Sequence, residues 1–173
     1  MLTMKWMNVT VPAVLIATGL AVLAGCGGKP SEKVTEKALE KAIENGGGGK
    51  ADVDMEKGKV TIKTEAGQSE IAYGATSWPE DMPAGVPKFV GGKVKAVTRS
   101  DQAGKKGWNV VVEDVEGSAL EKYAGQLKEA GWTIMTHMAA PKGGMVQATK
   151  DELHVIAMFN DEKKVASIGV AYQ

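Results

Sequence analysis

Read from the N-terminus, the hydropathy pattern opens with one continuous apolar run and then breaks into short alternating stretches. Val9 to Ala24 carries no charged residue and is interrupted only by Thr10, Pro12, Thr18 and Gly19. These sixteen residues fall short of the about 20 that a membrane span needs. After a Gly27-Gly28-Lys29-Pro30 spacer, Ser31 can cap a helix running to about Asn45. Val34, Ala38, Leu39, Ala42 and Ile43 fall on one helical stripe. Glu32, Glu36, Glu40 and Glu44 repeat every fourth residue, as do Lys33, Lys37 and Lys41. Lys-to-Glu pairs three apart add only about 0.2–0.5 kcal/mol each. The stripe is narrow and rich in Ala, so the pattern predicts a spacer helix that packs weakly, ended by the Gly46–Gly49 linker.

Period-two alternation takes over next. Val53 and Met55, then Val60 and Ile62 across a Lys57-Gly58 turn, predict a β-hairpin, and a short third strand follows at Glu70–Tyr73. The acidic start of that hairpin, Asp52 to Gly58, is not a calcium loop: Gly and Glu do not fall at the sixth and twelfth positions. Trp78 to Gly92 holds three Pro and three Gly in fifteen residues, which forbids a helix and resists a central strand. It should run extended over the surface, with Trp78, Val86 and Phe89 pinning it to the core, the alternative being a rim of aromatic residues around a ligand. Strands are then predicted at Val94–Arg99 and Trp108–Glu113, joined by Ser100–Gly107. Ser118-Ala119-Leu120-Glu121 reads as a capping box. It opens a helix with Leu120, Tyr123, Ala124 and Leu127 on its apolar face and Gly131 at its end. Four strands follow, at about Trp132–Ala139, Met145–Thr149, Leu153–Phe159 and Val165–Tyr172, with connections short enough to force antiparallel neighbours.

The expected architecture is α+β: an antiparallel sheet in the order β-β-α-β-β-β-β with one packed helix, preceded by a β-hairpin and a short N-terminal helix. The chain of 173 residues divides into 1–25, 26–49 and a globular part at 50–173. Composition adds exclusions. There are 21 basic and 21 acidic side chains, so there is no basic excess of the kind a nucleic-acid binder shows. One Cys excludes an intrachain disulfide framework and a Cys-rich zinc site.

That Cys stands where the apolar run ends. Lys5 before the run and small residues after it form a signal-peptide pattern, the other reading being an uncleaved anchor helix. The exit reads Leu23-Ala24-Gly25-Cys26, which resembles the lipobox of bacterial lipoproteins. The resemblance implies that Cys26 is lipidated with diacylglycerol and acyl chains such as palmitate, and that residues 1–25 are removed as a lipoprotein signal peptide. Two or more chains give stable attachment, at about 0.8 kcal/mol per buried methylene. The implied place is extracytoplasmic and anchored to the membrane. That is the outer membrane in a Gram-negative cell, since Gly27 rather than Asp follows the Cys, and the outer face of the cell membrane in a Gram-positive one. A second likeness covers about residues 50–173. Trp78-Pro79-Glu80-Asp81-Met82-Pro83, Val86-Pro87-Lys88-Phe89, and Tyr123 with Leu127-Lys128-Glu129-Ala130-Gly131-Trp132 resemble small uncharacterised bacterial lipoproteins with a domain of unknown function.

Little in the rest of the chain carries chemistry. No Ser lies in a Gly-x-Ser-x-Gly elbow, and lipidation would consume the thiol. The Gly46–Gly49 run precedes Lys50 but has no strand before it and no helix after it, so it is no phosphate loop. Acidic pairs such as Glu80-Asp81 and Asp151-Glu152 sit in turns, where they are solvated. Met135, His137 and Met138, with His154 and Met158 nearby, offer thioether and imidazole groups that suit copper(I). Strand alternation sends Met135 and His137 one way and Met138 the other, so core packing is the preferred reading and no metal or other cofactor is expected. The weak candidates for ligand contact are Trp78, His137 and His154. The sequence thus leads to a lipid-anchored, monomeric, non-catalytic envelope protein that meets the membrane through Cys26. Its small domain binds a protein or small-molecule partner and no nucleic acid. The alternatives are a solute- or metal-binding accessory lipoprotein and an envelope enzyme.

Overall fold

The computed structural model describes residues 32–74 and 77–172. The leader, Cys26, the Gly27–Pro30 spacer and the Ser31 cap lie outside the described residues. The elements are α1 (Glu32–Asn45), β1 (Lys50–Asp54), β2 (Lys59–Thr64), β3 (Gly67–Tyr73), β4 (Lys93–Gln102), β5 (Lys105–Glu113), α2 (Ala119–Glu129), β6 (Thr133–Ala140), β7 (Gly143–Lys150), β8 (Leu153–Asn160) and β9 (Val165–Tyr172).

The nine strands among the described residues all belong to one antiparallel sheet, in the order β1-β2-β3-β4-β5-β9-β8-β7-β6. This overturns the α+β expectation with its separate hairpin. The described residues are mainly β, 51% strand against 16% helix, and the sheet is not closed. The hairpin is continuous with the sheet because β3 pairs with β4 over seven residues, from Gly67 opposite Gln102 to Tyr73 opposite Ala96. The Pro-rich segment that separates them in sequence does not separate them in space. It leaves β3, crosses one face and returns as β4. A meander of five strands is followed by a meander of four laid down in reverse, so the last strand, β9, meets β5.

One face of the sheet, the inner face, is covered by α2 and by the 77–92 segment. Val97, Val110, Ile168, Ala157 and Val146 form a cross-strand row along it, each opposite the next and each buried. Helix α2 buries Ala119, Leu120, Tyr123, Ala124 and Leu127 against this face, touching β6, β7 and β8. Burying such side chains contributes about 1.5–3 kcal/mol each for the larger ones. The helix ends in a Schellman motif. Gly131 takes φ +81°, its N–H donates to Lys128 O at 3.0 Å, and the Trp132 N–H donates to Leu127 O at 2.9 Å. The N-terminal capping box does not form. Ser118 has helical dihedrals itself and its hydroxyl caps nothing, so the turn is closed by Ala119 N–H donating to Glu116 O at 2.9 Å.

Helix α1 lies along β1, at the sheet edge. The Glu column seen in the sequence faces that strand. Glu36 accepts from the Met55 N–H at 2.9 Å, Glu40 from Val53 at 3.1 Å and Glu44 from Ala51 at 3.4 Å. Four helical residues rise about 6 Å and two strand residues about 6.8 Å, so the two repeats stay nearly in step across three contacts. These are the amides an edge strand otherwise leaves unpaired.

Candidate functional site

The 77–92 segment is held by two indoles. Trp132 Nε1–H donates to Gly85 O at 2.8 Å, and Trp108 Nε1–H donates to Asp81 Oδ2 at 3.1 Å. Asp81 also accepts from Arg99 Nε, 3.0 and 2.9 Å from its two oxygens. The guanidinium, aided by the indole N–H, holds the Asp81 carboxyl below the usual carboxylate range against a smaller opposing effect of burial. So Asp81 is not the freely solvated turn residue that its neighbourhood in sequence suggests. Phe89 is buried against Tyr123, ring centroids 5.2 Å apart, and Trp78 and Val86 pack half-buried against the core. The Tyr123 hydroxyl is buried with no protein partner, and burial raises its pKa.

Beyond this segment the inner face opens into a cleft of about 680 Å³, whose lining includes Lys63, Glu70, Asp81, Arg99, Asp101 and Lys106. Three of these charges are paired: Arg99 binds Asp81, and Lys59 Nζ lies 2.7 Å from Glu70. A second hollow of about 550 Å³ touches Trp78 and shares Asp81 and Arg99 with the first.

The two His do not come together. His137 stands opposite Val146 on the inner face, and its Nε2 lies 3.1 Å from Glu121 on α2. His154 stands opposite Thr149 and Ala171 on the other face. Among the described residues no group of three or more His, Cys, Asp or Glu could hold a metal ion.

The other face of the sheet is uncovered by any described element from β4 to β6. Three cross-strand rows of six define it. One runs Ala96, Val111, Ser167, Met158, Met145, Met138. The next runs Thr98, Asn109, Gly169, Ile156, Gln147, Thr136, and the third Ser100, Gly107, Ala171, His154, Thr149, Thr133. None of these positions holds Asp, Glu, Lys or Arg. One internal bond, Ser167 Oγ–H to Asn109 Oδ1 at 2.8 Å, ties β9 to β5 on this surface. Sequence alternation misplaces one residue here. The register slips between Ile134 and Thr136, so Met135 is the extra residue of a bulge and does not share the inner face with His137 by simple alternation.

Fold and surface together define an open antiparallel sheet with one dressed face and one bare face, whose three central rows carry no charge and whose charged residues, such as Lys105 and the opposed Lys93 and Glu113, lie at its ends. Comparison of the chain with known protein families, characterised proteins and solved structures finds no match. Among the described residues no helix is long and apolar enough to cross a membrane.

Proposed function

We propose that this is a lipid-anchored bacterial cell-envelope protein whose sheet domain is a non-catalytic binding module. The observation that carries the reading is the position of the single Cys, at the end of a short apolar run and directly after Leu23-Ala24-Gly25. The domain's bare face supports the binding half of the reading. An antiparallel sheet with one solvated face normally sets polar and charged side chains there, and this one sets Met, Val, Ile, Gly and small polar groups. Cys26→Ala is expected to abolish incorporation of labelled palmitate and to leave the uncleaved precursor, read by mass spectrometry. Normal labelling and cleavage in that variant would overturn the anchor. A second reading, a metal-binding accessory lipoprotein, is favoured by one specific feature of the bare face, its methionines.

A further inference from the structure

Three methionines occupy one level of the bare face on three adjacent strands. Met145 of β7 stands directly opposite Met138 of β6 on one side and Met158 of β8 on the other. Side chains opposite one another across a strand pair have Cβ atoms about 4.5–5.5 Å apart. Met138 and Met158 are 54% and 51% exposed, and Met135, in the bulge beside them, is 63% exposed. Methionine ordinarily fills gaps in cores, but these fill no core: the buried cluster of the molecule contains none of them. Single apolar side chains on a surface need no explanation, whereas a contiguous row does.

On the binding-module reading above, we infer that Met138, Met145 and Met158 form a thioether site for a soft monovalent cation, copper(I). Thioether sulfur is neutral and polarisable and selects soft cations. The surroundings sharpen that choice. The three methionines and the residues next to them on this face supply no carboxylate, so calcium, magnesium and zinc find no anionic ligand there. They also supply no Lys or Arg to repel a cation. His154 lies on the same strand and face as Met158 but four residues away, about 13 Å along the strand, and His137 faces the other side. The ligand set is therefore sulfur alone. Imidazole and thiolate sites lose metal as their ligands protonate, but a thioether has no proton to gain in the ordinary range, so binding here is insensitive to mild acid. The step is association only, with copper arriving and leaving as copper(I).

The full chain carrying Cys26→Ser, which removes the competing thiol, is the protein to test. Its methionine methyl carbons are labelled and titrated with silver(I), a redox-inert stand-in, at pH 7 and pH 5. The expected result is a shift of the Met138, Met145 and Met158 methyl signals by the first equivalent, equal at both pH values. Competition with a colorimetric copper(I) chelator should show that Met145→Leu weakens copper(I) binding about tenfold or more. Met55→Leu and His154→Ala should leave it unchanged. Met138→Leu and Met158→Leu are exposed, volume-conserving changes that keep the fold and should each weaken binding too. Shifts spread evenly over all methionines, an affinity untouched by Met145→Leu, or binding lost at pH 5 would each overturn the site. Such a failure leaves the Cys26 anchor standing, because palmitate labelling reads that independently.

Discussion

At Asp81 one carboxylate takes N–H bonds from Arg99 and from the nearly buried Trp108 indole, and so ties the 77–92 segment to β4 and β5. The carboxylate is half exposed, which leaves its ion pair screened by solvent. The larger consequence of removing it falls on the indole, whose N–H loses its acceptor. Asp81→Ala is expected to destabilise the protein by about 1–3 kcal/mol at pH 7, read from urea unfolding. The pH dependence has a definite sign. The folded-state pKa lies below the unfolded one, so this contribution is present above the ordinary carboxylate value and is lost as pH falls through the folded value. The gap between wild type and Asp81→Ala should narrow at pH 3; equal unfolding midpoints at pH 7 would refute the role. Nothing local distinguishes Asp81 from Glu80 beside it in the sequence. The Arg and Trp that select it are 18 and 27 residues away.

Among the elements, α1 shows most clearly what a pattern can and cannot say. Its four-residue Glu repeat was visible, and pairing with Lys on the same helix was the local explanation. The repeat instead matches the two-residue repeat of a strand that begins five residues after the helix ends. Short-range pairs are weak, and carboxylates bonded to the unpaired amides of an edge blunt it against pairing with another chain. Replacing both Glu36 and Glu40 by Ala should accelerate amide hydrogen exchange at Met55 and Val53 while leaving the amides of β5 and β9 protected. Unchanged exchange at Met55 and Val53 would mean that the strand is guarded by something else. The opposite end of α2 makes a matching point. Gly131 announces its Schellman turn in the sequence because few residues tolerate that positive φ. Ser118-x-x-Glu121 announces a capping box that backbone geometry then does not use.

For the whole molecule, the core is one cluster running from the 78–90 segment through β4, β5, α2 and β6 to β9, and it draws on no residue of α1, β1 or β2. Stability should therefore survive loss of everything before the sheet. A chain starting at Lys50 is expected to keep a single cooperative melt, and a broad or absent transition would place α1 in the cooperative unit. The antiparallel neighbours within β6–β9 were legible because their connections are too short for a crossover. That β9 meets β5 was not, because it depends on α2 carrying the chain across three strands before the meander begins. Strand ends were missed for a similar reason. The β4–β5 hairpin closes through Ala103 and Gly104, at φ 53° and 80°, so both strands run further than expected. Alanine at a position that favours Gly or Asn gives no turn signal.

What the sequence determined by itself was local. The apolar run ending at Cys26, the α2 stripe, the turns at Gly and Pro, and the alternation of the last four strands all follow from neighbours a few residues apart. Tertiary structure alone decided what faces what: one sheet in place of a sheet and a hairpin, Asp81 on Arg99 and Trp108, His137 and His154 on opposite sides, and three methionines in a row. The reason is the geometry of a sheet. Side chains become neighbours through cross-strand register, and in β6 a single bulge is enough to change which residues share a face.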